Sequence, residues 1–63
     1  MVWLAVDKDG AEYICDNRPY RREIMGEWIP RYDVDYMIRL PFGTIEKLIG
    51  HSLTWEDEPV ELK

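Results

Sequence analysis

The opening residues alternate in the manner of paired β-strands. In Val2–Val6 the even-numbered residues lie on one face, and Trp3 and Ala5 lie on the other. The segment Ala11–Cys15 alternates in the same way, and Asp7–Gly10 between them has the Asp and Gly residues that favour a tight turn. The pattern therefore predicts an antiparallel hairpin.

A strand and then a short helix are predicted in the second half of the chain. Tyr36–Leu40 alternates between two faces, and Pro41 ends the strand because it has no N–H to donate to a neighbouring strand. Ile45–Ile49 has apolar residues at helical spacing, with Thr44 as the predicted N-cap and Gly50 at the C-terminal end.

The remaining segments complete the predicted fold. Asp16–Pro30 lacks a clean period, which predicts a long loop with at most one short strand around Trp28. Leu53–Trp55 is strand-like, and Val60–Leu62 is predicted to be a final edge strand. This order predicts the α+β class, a small antiparallel β-sheet with one short helix before the last strand. An SH3-like small β-barrel is the alternative, with the helix replaced by a 3₁₀ turn.

The length of the chain and its numbers of cysteine and histidine residues limit the ways in which the fold can be stabilised. A chain of 63 residues is expected to form a single domain, 1–63, of a size that buries only about 60% of its unfolded surface. Cys15 is the only cysteine and His51 the only histidine, so neither an intrachain disulfide nor a zinc site is expected, and no cofactor is predicted. Eight aromatic residues remain to supply a core or an interface.

The charge of the chain narrows the classes of partner. Thirteen acidic and eight basic residues give a formal net charge of −5, which disfavours nucleic-acid binding. The N-terminus has no basic region before its short apolar run, and no segment approaches the roughly 20 apolar residues of a membrane span. We therefore expect a cytoplasmic protein that does not bind membranes.

Two acidic segments are candidates for a metal-binding or catalytic site. Asp7–Gly10 resembles part of a calcium loop, but further oxygen ligands at fixed spacing are missing, so a hairpin turn is preferred. Glu56, Asp57 and Glu58 are consecutive, and consecutive side chains seldom converge on one ion. We expect a solvated turn there, and the functional alternative is an acidic patch for a basic partner.

The basic and nucleophilic residues are weaker candidates for a nucleic-acid-binding or catalytic site. Arg18, Arg21 and Arg22 surround Tyr20, a combination that can bind nucleic acid, but in an acidic chain these arginines are expected to pair with acids of the same domain. His51 and its neighbour Ser52 lack an orienting partner in sequence. Cys15 is expected to be buried and unreactive.

Three aromatic residues lie in or near the irregular middle of the chain: Tyr20, Trp28 and Tyr32. If exposed, they form a surface typical of interaction hot spots, and if buried, they anchor the loop. On the first interpretation, replacing Tyr20 and Trp28 with alanine abolishes capture of a partner and leaves the fold intact.

Segments at both ends of the chain resemble one group of proteins. The opening segment Val2–Gly10 and the C-terminal segments Leu40–Gly50 and Leu53–Leu62 resemble short proteins of gut bacteria and their phages that have no assigned activity. The resemblance leaves out residues 17–35. It implies a bacterial or phage origin and no site residues.

The sequence favours a small non-enzymatic module that binds a protein partner or a second copy of itself. The predicted partner-binding residues are Tyr20, Trp28, Tyr32, Glu56, Asp57 and Glu58. The alternatives are an acidic phage-type inhibitor that mimics DNA charge and a small structural homo-oligomer. An enzyme is the least favoured class, and its candidate residues are Asp7, Asp9, His51 and the run Glu56–Glu58.

Overall fold

The computed structural model describes residues 1–63 and contains six strands and one helix. In chain order they are β1 (Val2–Val6), β2 (Glu12–Cys15), β3 (Tyr20–Arg22), β4 (Glu27–Ile29), β5 (Met37–Leu40), α1 (Thr44–Ile49) and β6 (Val60–Leu62). Four strands form an antiparallel sheet in the order β5-β2-β1-β6, and β3 pairs with β4 in a separate ribbon. The predicted α+β class is confirmed, with the short helix before the last strand. The four-stranded sheet is open, with β5 and β6 at its edges, so it is not a closed barrel.

The first hairpin forms as predicted. Its strands pair in the register that places Leu4 opposite Ile14, and the Asp7 N–H donates to the Ala11 carbonyl at 2.9 Å. Gly10 closes the turn with φ 92°, a left-handed conformation that glycine adopts without steric cost.

The helix covers one face of the sheet. Leu4 and Val6 of β1 pack with Ile45 of α1 in the buried core, and the flanking strands and the segment after the helix add partly buried side chains. A helix of six residues is unstable by itself, so this packing keeps it formed. Ala5 and Cys15 point to the opposite face of the sheet and are also buried, as predicted for Cys15.

The middle of the chain contains a second hairpin where a loop with at most one short strand around Trp28 was expected. Strand β4 is that strand, and β3 was not predicted. Strands β3 and β4 have only three residues each, too short to show a period in the sequence. Gly26 ends the connecting turn with φ 67°, and a Cβ at this position would come within 3.0 Å of the Lys8 side chain. The Gly26 carbonyl accepts a hydrogen bond from the Lys8 N–H at 2.9 Å. The second hairpin therefore depends on contacts with the first hairpin and not on a local sequence pattern.

Two local predictions are wrong. Leu53–Trp55 forms no strand, because the chain turns there and the Asp57 N–H donates to the Thr54 carbonyl at 3.0 Å. Thr44 is not the N-cap, since Gly43 occupies that position with φ 90° and the Thr44 hydroxyl donates to the Pro41 carbonyl instead. Gly50 ends the helix as predicted, in a left-handed conformation.

Candidate functional site

Trp28 is buried, and this removes it from the predicted partner-binding surface. Its side chain is 5% exposed, its backbone N–H donates to Asp7 Oδ1 at 2.9 Å, and its indole Nε1–H donates to the Val6 carbonyl at 2.9 Å. Both bonds join β4 to the end of β1. Trp28 therefore serves as an anchor of the middle segment, the second of the two interpretations that the sequence left open.

Arg21 holds the C-terminal turn against the second hairpin. Its guanidinium carbon lies 4.6 Å from the ring centre of Trp28 and 4.7 Å from that of Trp55. The same group donates to the carbonyl oxygens of Trp55 at 2.6 Å and Asp57 at 3.2 Å, and to a carboxylate oxygen of Glu58 at 3.3 Å. A planar guanidinium is suited to stacking and to several hydrogen bonds at once. This arginine therefore has a structural role.

The three consecutive acids have different surroundings and do not converge. Asp57 Oδ2 accepts hydrogen bonds from the backbone and hydroxyl of Thr54, at 2.9 and 3.2 Å. Glu58 forms ion pairs with Arg18 at 2.7 Å and Arg21 at 3.3 Å. Only Glu56 is exposed without a hydrogen bond from the protein. The predicted pairing of arginines with acids of the same domain is confirmed for Arg18 and Arg21.

The two predicted tyrosines lie at the surface, and Tyr32 is part of a larger exposed group. Tyr20 is half exposed and stacks against the Arg31 guanidinium at 4.9 Å, and Tyr32 is exposed at the start of the segment that leads into β5. Three further side chains at alternate positions after Tyr32 are also exposed, including Val34 at 87%. We call this set the apolar edge, and it comprises Tyr32, Val34, Tyr36 and Ile38.

The apolar edge leads into a strand with one free side. Strand β5 pairs only with β2, so its other side presents unpaired backbone groups. The approach to the strand is held in place by hydrogen bonds from the Tyr32 N–H to Asp35 Oδ2 at 3.0 Å and from the Tyr36 N–H to Asp16 Oδ1 at 3.2 Å. The exposed side chains therefore stand on a segment that is bonded to the domain.

A groove of about 330 Å³ lies where the first hairpin turn meets the start of the helix and the segment after it. We call it the Asp7 groove. Its volume is at the lower end of the range found for small-ligand sites. Its main lining residues are Val6, Asp7, Glu12, Phe42, Leu53 and Trp55.

Two buried carboxylates lie in the Asp7 groove and differ in their bonding. Glu12 accepts hydrogen bonds from the backbone N–H groups of Gly43 at 2.7 Å and Ile45 at 2.9 Å, so both of its oxygens are engaged at the start of the helix. Asp7 accepts one bond, from Trp28, and its second oxygen accepts none from the protein. Burial raises the pKa of Asp7 above its usual value, and the nearby charges of Asp9 and Glu27 add to this effect.

The other candidate catalytic or metal-binding residues do not lie together at the Asp7 groove. Asp9 accepts a hydrogen bond from the Ala11 N–H within the turn, and exposed His51 contacts the carbonyl of Ser52. Burial raises the pKa of the Cys15 thiol to about 12, which keeps it protonated. No group of three or more His, Cys, Asp and Glu side chains is arranged to hold a metal ion. The helix is neither long nor apolar enough to cross a membrane.

Sequence reasoning missed Glu12 and the apolar edge. Glu12 shares the core-facing side of β2 with Ile14, and an acid at such a position was the available signal that a buried partner exists. Val34 and Ile38 gave no signal, because an apolar residue beside or within a predicted strand is expected to be buried.

Comparison of the chain with protein-family models, with curated proteins and with solved structures finds no match. The resemblance of both ends to short proteins of gut bacteria and their phages therefore stays a prediction.

Proposed function

We propose that this protein is a small non-enzymatic module that acts by protein–protein contact, and that its binding surface is the apolar edge together with the free side of β5. The observation that carries the proposal is the group of four exposed apolar side chains within residues 32–38, in the turn before β5 and in this strand itself, whose other side has no partner strand. A free strand edge with exposed apolar side chains is a template for pairing with another chain.

A second copy of the chain is the occupant that the charges favour. Arg39 lies near one end of this segment, and Asp33 and Asp35 lie near the other. Antiparallel pairing of two β5 strands about a two-fold axis brings the basic end of each copy toward the acidic end of the other. The same pairing places apolar side chains of both copies together, which supports self-association.

A mimic of DNA charge is the second candidate and has less support. Such a protein needs many free carboxylates on one surface. In this domain, however, seven of the thirteen acidic residues of the chain accept hydrogen bonds from the protein itself. These are Asp7, Asp9, Glu12, Asp16, Asp35, Asp57 and Glu58.

The oligomeric state tests the proposal. Sedimentation equilibrium over a wide range of protein concentration is expected to give a mass that rises from the monomer value of 7.6 kDa toward twice that value. Replacing Ile38 with lysine puts a charge on the pairing edge, and Ile38→Lys is expected to remain a monomer at every concentration.

Ile24→Lys is the matched control, because Ile24 is 94% exposed in the β3–β4 turn and the change in charge is the same. It is expected to associate like the wild type. A wild-type protein that stays monomeric excludes self-association. The broader proposal also fails if wild type and Ile38→Lys then capture the same proteins from a lysate.

A further inference from the structure

The Asp7 groove combines a buried acid with an apolar lining and a free aromatic ring. Leu53 and Trp55 are partly exposed apolar residues of the lining, the core residues Val6 and Ile45 lie at its base, and Asp7 is only 8% exposed. Phe42 borders the groove and is 91% exposed, so its ring contacts little of the protein and is free to cover a ligand. Small-ligand sites commonly combine apolar surface with a small number of polar groups, and this groove has both.

We propose that the Asp7 groove binds an organic cation, an alkylammonium or guanidinium group on an apolar chain. The chain would lie against the apolar lining and the Phe42 ring, and the cationic group would donate to the free oxygen of Asp7. This site is separate from the apolar edge, and neither proposal depends on the other.

The bonding of Asp7 indicates which group of a ligand would bind it. One oxygen of this buried carboxylate accepts the Trp28 N–H, and the other accepts no hydrogen bond from the protein. Asp7 also has no ion pair within 4.0 Å, although Lys8 is its neighbour in the chain. No buried side-chain nitrogen or oxygen of the domain lacks a hydrogen-bond partner, so this second oxygen is accessible to solvent and open to a ligand. A charged donor forms a stronger hydrogen bond with it than a neutral donor does.

The remaining charges around the groove also favour a cation. Glu12 and Glu46 add negative charge, whereas Lys8 is the only basic residue in the lining. The stem of Lys8 lies against Gly26 in the β3–β4 turn. An anion would be repelled by these acids, and a neutral ligand would gain no attraction from the charge of Asp7.

A metal ion fits this groove less well. Calcium takes six or more oxygen ligands. Both oxygens of Glu12 are already bound to the N–H groups of Gly43 and Ile45, so Asp7 is the one carboxylate of the pair with a free oxygen. One oxygen suits a single N–H donor on an organic cation.

Binding can be measured by NMR titration of the ¹⁵N-labelled protein with n-butylammonium, with n-butanol as the neutral probe of similar shape. We expect saturable shifts at the amides of Gly10, Gly43 and Leu53 and at the indole N–H of Trp55, all of which line the groove. We expect n-butanol to cause much smaller shifts, because it lacks the charge.

Asp7→Asn removes the charge and keeps an oxygen that can accept the Trp28 N–H. It is expected to weaken n-butylammonium binding by about tenfold or more, the typical effect of losing a charged hydrogen bond. Asp9→Asn is the matched control, since it changes the net charge equally in the same turn, and its affinity should stay within about twofold of wild type. Phe42→Ala is expected to weaken binding, and because this ring is exposed, its loss leaves the fold intact.

The source of the cation is distinguished by a short peptide with one lysine and its norleucine counterpart. Tighter binding of the lysine peptide than of n-butylammonium assigns the site to a basic side chain of a protein, and equal binding assigns it to a free amine. The proposal is overturned if n-butylammonium shifts no groove amide, if n-butanol binds equally well, or if Asp9→Asn weakens binding as much as Asp7→Asn. It is also overturned if Phe42→Ala has no effect.

Discussion

Neighbouring arginines in strand β3 have opposite roles. Arg21 stacks on the rings of Trp28 and Trp55 and donates hydrogen bonds to the turn at 55–58, whereas Arg22 is exposed and makes no ion pair within 4.0 Å. The two residues point to opposite sides of the strand, and only one side faces the domain. The same residue type is therefore structural at one position and part of the solvated surface at the next.

Arg21→Ala is expected to lower the free energy of unfolding by about 2–4 kcal/mol, because it removes two cation–π contacts and leaves the Trp55 carbonyl without its donor. Arg22→Ala is the matched control and is expected to change stability by less than about 0.5 kcal/mol. Urea denaturation followed by tryptophan fluorescence measures both. Equal effects of the two substitutions would contradict the structural role of Arg21.

At the scale of elements, helix α1 depends on a residue far away in the chain. Its N-terminal N–H groups at Gly43 and Ile45 receive no side-chain cap from their own segment and donate to Glu12 of strand β2 instead. A carboxylate near a helix N-terminus is also favoured by the helix dipole. Glu12 therefore fixes where the helix begins relative to the sheet.

Glu12→Ala is expected to lower the free energy of unfolding by about 2–4 kcal/mol, since two backbone donors near the core lose their acceptor. Glu46→Ala removes an exposed acid from the first turn of the same helix and should cost less than about 0.5 kcal/mol. Urea denaturation gives both values, and NMR chemical shifts of residues 44–49 report whether the helix persists. A stable Glu12→Ala protein with an unchanged helix would contradict this role.

At the scale of the whole molecule, strand β1 connects two clusters of packed side chains, one at helix α1 and one around Trp28. On one face its side chains pack against the helix, and at its end Asp7 and the Val6 carbonyl bind Trp28 of the second hairpin. The rings of Trp28 and Trp55 lie 5.6 Å apart in an edge-to-face arrangement, which extends this second cluster to the C-terminal turn. We therefore expect the domain to unfold as one cooperative unit.

Trp28→Ala is expected to cost about 3–5 kcal/mol, which is most of the stability of a domain this small, so the chain should be largely unfolded. Tyr20→Ala, on the exposed side of the same hairpin, should cost less than about 1 kcal/mol. Circular dichroism with thermal melting compares the two. The structure thus replaces the expectation that Tyr20 and Trp28 can be removed together without loss of fold, and a folded Trp28→Ala protein would restore it.

The sequence by itself determined the elements whose signals are local. The hairpin β1–β2 follows from period-two alternation around an Asp- and Gly-containing turn, and the end of α1 follows from Gly50, because these preferences act between residues close in the chain. The α+β class followed from the order of these elements. The burial of Cys15 followed from its position in a predicted strand.

Only the tertiary structure decided the features that depend on residues far apart in sequence. The ribbon β3–β4 has strands too short to show a period. It exists where Trp28 bonds to the end of β1 and Gly26 bonds to Lys8 in the turn of the first hairpin. The acceptor for the N–H groups at the start of α1 is Glu12, from a distant strand. The candidate binding surfaces depend on whether the rest of the chain covers an aromatic or apolar side chain. Trp28 is covered and Val34 is exposed. Burial is a property of the assembled chain, and the alternation of residues within one segment does not specify what covers it.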